Sequence, residues 1–286
     1  MTPEAFRLTR PQRQETSVIF SSPHSGRDYP CEFLSQSQLD PQLLRSSEDA
    51  YVDRLFARAP LHGAPLLCAR TPRAYIDLNR AADELDPAVI EGVARMAHNP
   101  RISSGLGVIP RVVAGGRAIY SGKISLRDAE RRLNQHWHPY HAALQGLVDE
   151  TLASFGEAIL IDCHSMPHEA IDAHARPGQP KPEVVLGDRF GAAAGREVVD
   201  QIESAFASAG FRVVRNSPFA GAYIAQHYGR PLSQKHVVQI EIDRALYLDE
   251  AKVEPGPNFP AFCVRMNRVV ADIARIGRRA LPLAAE

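Results

Sequence analysis

The 286-residue sequence predicts an α/β fold, a mixed, mostly parallel sheet sandwiched by helices. Three observations predict it. Short apolar runs bounded by turn residues recur along the chain, and stretches of helical periodicity lie between several of them. Reactive side chains then follow where those runs end, which is where open α/β sheets place ligands. The length and the 44% hydrophobic content support a substantial core, and one domain spanning residues 1–286 is expected.

The candidate strands are residues 17–21, 65–69, 74–78, 108–113, 158–163, 184–186, 211–214 and 237–242. Ser47 is expected to cap a helix beginning at Glu48, in which Tyr51, Val52, Leu55 and Phe56 form one apolar stripe. Ser125, three residues before Asp128, resembles the start of a long helix with Leu126, Leu133, Tyr140 and Leu147 seven residues apart. Pro139 should kink that helix. A further helix covers residues 192–208 and ends at Gly210, and the last starts near Pro260. Residues 82–110 and 167–182 read as long, proline-interrupted loops.

Thirty-three basic and thirty-three acidic residues cancel, so no net field gathers nucleic acid or an anionic membrane, and a small-molecule partner is expected. No apolar run is long enough for a membrane span, and residues 1–13 do not resemble a signal peptide. A soluble, cytoplasmic protein is the expectation; oligomeric state leaves no trace in the sequence. Cys31, Cys68, Cys163 and Cys263 are isolated and suggest neither a disulfide framework nor a thiolate zinc site.

His24 follows a buried run and precedes Ser25 and Gly26, where an imidazole can turn into a cleft. His164 ends the most convincing strand. Alternation sets Asp162 on its side and Cys163 on the other, and a carboxylate receiving the ring proton is the usual support of a metal-bound histidine. A catalytic zinc wants a third protein ligand, for which Glu48, Asp49 and Asp53 are candidates; on chemistry alone Glu48 and Asp49 are interchangeable.

The other histidines are weaker candidates. His136, His138 and His141 read as surface or packing residues on the long helix, and His168 and His174 lie in a loop able to close over a site. His62, His98, His227 and His236 have no identifiable partner. Arg80, with Asn79, suits a carboxylate, and Arg73 suits a developing oxyanion. Glu241, in an otherwise apolar strand, is the candidate base, with pairing to Arg244 as the structural alternative.

Together the segments PHSG (23–26), EDAYVD (48–53), RAYIDLNR (73–80), IDCHSMP (161–167), PFAGAYI (218–224) and QIEIDRALYLDE (239–250) resemble the N-formylglutamate amidohydrolase family. That family is distantly similar to zinc carboxypeptidases and aspartoacylases. The resemblance implies a zinc-carboxypeptidase-like (phosphorylase/hydrolase-like) fold and one Zn2+ per chain on His24, Asp49 and His164, with Asp53 and Asp162 behind them. It also implies a substrate carboxylate on Asn79 and Arg80, an oxyanion facing Arg73, Glu241 as the base, and Ser165, Gly221 and Tyr223 lining the pocket. The implied reaction is hydrolysis of N-formyl-L-glutamate to formate and L-glutamate. A deacylase of different acyl or side-chain specificity and a non-catalytic binder of acidic metabolites are the alternatives. A cysteine hydrolase using Cys163 and His164 is disfavoured because adjacent strand residues face opposite ways.

Overall fold

A computed structural model describes residues 4–94, 99–172 and 181–278. His98 and His174 lie outside them. The main sheet has seven strands: β1 (Phe6–Thr9), β2 (Val18–Ser22), β3 (Leu66–Ala69), β4 (Ala158–Met166), β5 (Val184–Gly187), β6 (Val213–Arg215) and β7 (Lys235–Asp243). In space they run β1-β3-β2-β4-β7-β5-β6. The four central strands, β3, β2, β4 and β7, are mutually parallel, whereas β1 and β5 join antiparallel at either side. The expected mixed, mostly parallel sheet is thereby found.

Helices close both faces. Phe259–Ile276 and Arg196–Ser208 pack over the side carrying Phe20, Ile161 and Ile240. His138–Phe155 covers the side carrying Ile19, Leu160 and Val237. On this second face the character changes along each strand: Ile19 gives way to Ser21, Leu160 to Asp162 and His164, and Val237 to Gln239 and Glu241. Alternation keeps these residues on one side, so burial at one end of the strands becomes polar chemistry at the other.

Several elements differ from expectation for local reasons. Ala74, Tyr75, Ile76 and Leu78 are apolar because they are buried, not because they pair; Tyr75 and Ile76 instead close turns onto the carbonyl of Pro72. Of residues 108–113 only Val112–Val113 is a strand, in a small hairpin with Arg117–Ala118. Ser47 caps nothing: the helix is Val52–Leu55, entered through Tyr51 at φ 64°. β1 escaped notice because it is an edge strand whose Arg7 and Thr9 are exposed.

Ser125 does cap its helix, its hydroxyl accepting from the Asp128 N–H. The disturbance expected at Pro139 takes the form of a π-helical turn over Leu133–Trp137, where the missing proline N–H loosens the hydrogen-bond ladder. The helix expected over residues 192–208 starts later, at Arg196, because residues 192–195 still belong to the preceding turn. Within residues 82–110 lies the short helix Pro100–Ser103, and within residues 167–182 lies His168–Asp172. Among the described residues no helix is long and apolar enough to cross a membrane.

Candidate active site

The carboxyl ends of the central strands open into a cavity of about 600 Å³. His24 lies two residues beyond β2, in a turn that needs Gly26: a Cβ there would sit 2.1 Å from the Thr71 carbonyl oxygen. His164 does not end its strand but lies within it, and it pairs in register with Glu241, which lies within β7 as expected. β4 continues to Met166, three residues past its expected end, because Glu241–Asp243 supplies the ladder there.

Asp49 stands between the two histidines. Its Oδ2 is 2.8 Å from His164 Nδ1 and 3.4 Å from His24 Nδ1, and the imidazole centroids are 4.7 Å apart. Each histidine turns its other nitrogen to a different carboxylate, His24 Nε2 to Asp77 at 2.7 Å and His164 Nε2 to Asp162 at 3.0 Å. These outer carboxylates fix both ring orientations, so both Nδ1 atoms point inward at one oxygen. Donor atoms from His24, Asp49 and His164 all lie within 4.8 Å of one another, a group able to hold a metal ion.

The metal-binding chemistry fits for a further reason. His24 Nδ1 is fully buried and has no hydrogen-bond partner among the described residues, an arrangement that is costly for a ring nitrogen unless a ligand satisfies it. Glu48, equivalent to Asp49 on chemistry alone, is instead held by Arg45 at 3.1 Å and by the Tyr29 hydroxyl at 2.7 Å. Asp53, expected to back the ligands, faces Arg27 at 3.4 Å and Arg7 at 3.7 Å and makes no hydrogen bond or ion pair with either histidine among the described residues.

Electrostatics follow from this packing. Burial pushes the Asp49 carboxyl up, but the hydrogen bond from His164 and the nearness of both imidazoles outweigh it and hold the group well below the usual carboxylate range. At Asp77 burial is likewise outweighed, by the charges of His24, Arg73 and Arg80. Glu241 behaves oppositely: burial raises it to about 7, against the lowering influence of His164. Gln239 fixes it, donating from Nε2 to Glu241 Oε1 at 2.8 Å while its own Oε1 accepts the Ala222 N–H at 2.9 Å.

Cationic groups face the cavity. Arg73 donates through Nε to Asp77 at 3.0 Å, and Arg80 is anchored through Nε and Nη1 on the carbonyl oxygens of Leu106 and Asn79. Asn79 serves the interior on both sides: its Nδ2 donates to Asp162 at 3.2 Å and its Oδ1 accepts the Ile224 N–H at 2.7 Å. Ser165 and Gly221 line the cavity. Tyr223 packs its ring against Trp137 and His227 and is not among the residues lining the cavity.

Two members of the network escaped the sequence reading. Asp77 lies within RAYIDLNR, where its spacing from His24 gave no sign of contact. Arg244, whose sequence position suggests only a pairing with Glu241, donates to Asp49 Oδ1 at 2.9 Å and to Ser165 Oγ at 3.1 Å. The remaining histidines take packing roles: His136 meets Thr71, and His141 lies between Tyr228 and the Leu78 carbonyl. His168 meets Asp243 at 2.8 Å at the surface. Cys163 is fully buried among apolar side chains with its thiol pushed up by burial, which removes it as a nucleophile.

Comparison with known proteins gives the family. The family profile of N-formylglutamate amidohydrolase matches residues 16–248. The chain is 29% identical to the N-formylglutamate deformylase of Pseudomonas aeruginosa over 244 residues, 84% of this chain and 85% of that protein. It is 27% identical to the N-formylglutamate deformylase of Pseudomonas putida over 238 residues, covering 82% and 83% of the two chains. The crystal structure of N-formylglutamate amidohydrolase from Ralstonia eutropha JMP134 superimposes with a TM-score of 0.89 at 33% identity, over 96% of this chain and 99% of that one. A gene product of Agrobacterium tumefaciens shares the fold at 14% identity, with a TM-score of 0.64 over 96% and 97% of the chains. On the extent of the profile match and these likenesses, the chain belongs to the N-formylglutamate amidohydrolase family.

Proposed function

We propose that the chain is a single catalytic domain that hydrolyses N-formyl-L-glutamate to formate and L-glutamate, using one zinc ion held by His24, Asp49 and His164. The observation that carries the reading is the convergence of both Nδ1 atoms on Asp49 Oδ2, with Glu241 in register on the neighbouring strand. A zinc ion bound there would supply Lewis acidity toward the water and the amide carbonyl.

The side chains account for the other requirements. Glu241, raised to about 7 by burial, is poised near neutrality to take a proton from the attacking water and return it to the departing amine nitrogen. The water oxygen forms the new bond to the formyl carbon, the C–N bond breaks, and the products are a carboxylate and an amine. Arg73, whose Nε is fixed by Asp77, leaves its terminal nitrogens for the developing oxyanion. Arg80, held in place by two carbonyl oxygens, presents its remaining nitrogen to the α-carboxylate. Asn79 supports this through the interior hydrogen bonds that fix Asp162 and the Ile224 amide.

The test is formate release from N-formyl-L-glutamate by the wild type and by Glu241→Gln. The variant should keep its zinc and lose about 10²- to 10⁴-fold in kcat, the usual worth of a positioned base. An active Glu241→Gln enzyme would remove Glu241 from the proposed role. Equal rates on formyl, acetyl and succinyl derivatives of glutamate and aspartate would reject the substrate.

A further inference from the structure

Resting on the proposed substrate, we infer that Arg101 is the specificity-determining residue that pairs with the substrate's side-chain carboxylate. Glutamate presents two carboxylates separated by three carbons, and one guanidinium anchor accounts for only one of them. Four arginines line the cavity: Arg73, Arg80, Arg101 and Arg244. Three have partners within the protein. Arg73 is held by Asp77 at 3.0 Å, Arg244 by Asp49 at 2.9 Å, and Arg80 by the carbonyl oxygens of Leu106 and Asn79 at 2.9 and 2.8 Å.

Arg101 differs. Its side chain makes no hydrogen bond or ion pair among the described residues, yet it lies near enough to Arg80 for their like charges to repel. Such a pair of cations is unfavourable until an anion comes between or beside them. The backbone of Arg101 is nevertheless fixed: its N–H is capped by Asn99 Oδ1 at 2.9 Å, and its carbonyl accepts the Leu106 N–H at 2.8 Å. The same Leu106 uses its own carbonyl to hold Arg80 Nε. One residue, Leu106, therefore ties the two guanidinium-bearing segments to each other beside the cavity.

N-formyl-L-glutamine tests this directly because it is nearly isosteric with the glutamate derivative, keeps the α-carboxylate and lacks only the second charge. The wild type should favour the glutamate derivative in kcat/KM. In Arg101→Ala and Arg101→Gln that preference should fall about 10- to 100-fold, the range of one charge-assisted contact, mainly through KM. Arg101→Lys should recover part of it. Melting temperatures close to the wild type's are expected, since the side chain holds no partner among the described residues. A preference within threefold of the wild type's in both neutral variants overturns the inference, including the case where both substrates lose activity equally. If the wild type hydrolyses neither amide, the proposed reaction itself fails and the assignment goes with it.

Discussion

Replacing Asp77 with Asn probes the support of the site without touching a proposed ligand. The carboxylate is 1% exposed and serves three groups: His24 Nε2 at 2.7 Å, the Asn79 N–H at 2.8 Å and Arg73 Nε at 3.0 Å. An amide can still accept from two of them, but it sets an NH2 against a third donor or a protonated ring nitrogen and removes the buried negative charge. Arg73 is 25% exposed, so water offsets part of its loss; the His24 contact is wholly interior. One unsatisfied buried donor costs about 1–3 kcal/mol, and the lost charge adds to it, giving about 2–4 kcal/mol in all. At an unfolding entropy of about 2.1 cal/mol/K per residue, that loss lowers Tm by about 3–7 °C.

Asp77 also fixes the His24 ring, and removing such a support weakens metal affinity about 10- to 100-fold. Differential scanning calorimetry of the metal-free protein and competition titration with zinc measure the two effects separately. The wild type carries a further signature: because the Asp77 carboxyl titrates below its ordinary 3.8, its stabilisation is present above that pH and is lost as pH falls further. The acid limb of stability should be shallower in the variant. A Tm within 1 °C of the wild type's and an unchanged zinc affinity would refute the reasoning.

The rate should depend on pH through Glu241: kcat/KM should fall on acidification with a midpoint at or below about 7, since a bound cation only favours the carboxylate further, and a pH–rate profile checks this. In the metal-free protein the raised Glu241 binds more protons folded than unfolded between its ordinary 4.5 and about 7, so stability should decline as pH rises across that window. Glu241→Gln should flatten that decline in denaturant titrations at pH 5 and 8. Arg80→Ala should lower kcat/KM for N-formyl-L-glutamate about 10- to 100-fold, with steady-state kinetics as the readout, while zinc content stays at one per chain.

What the sequence made legible follows from how each residue signals its environment. Strands β2, β4, β5 and β7 are almost wholly buried and each carries a short apolar run, which is why residues 17–21, 158–163, 184–186 and 237–242 read as strands of a mostly parallel sheet. Residues 74–78 carry the same apolar signal without a ladder, since burial alone selects such side chains. His164 and Glu241 stood out as polar residues in apolar strands. The choice between Glu48 and Asp49 depends on a turn that ends at the left-handed Tyr51 and whose course no periodicity reveals. Likewise Asp77 and Arg244 meet His24 and Asp49 only through contacts 53 and 195 residues apart in sequence.

X-ray diffraction at the zinc absorption edge, from crystals grown with zinc and shown to release formate, tests the central claim most directly. The account predicts a single anomalous peak per chain, bounded by His24 Nδ1, Asp49 Oδ2 and His164 Nδ1. Active crystals with no peak there, or with the ion bound by other residues, would contradict it.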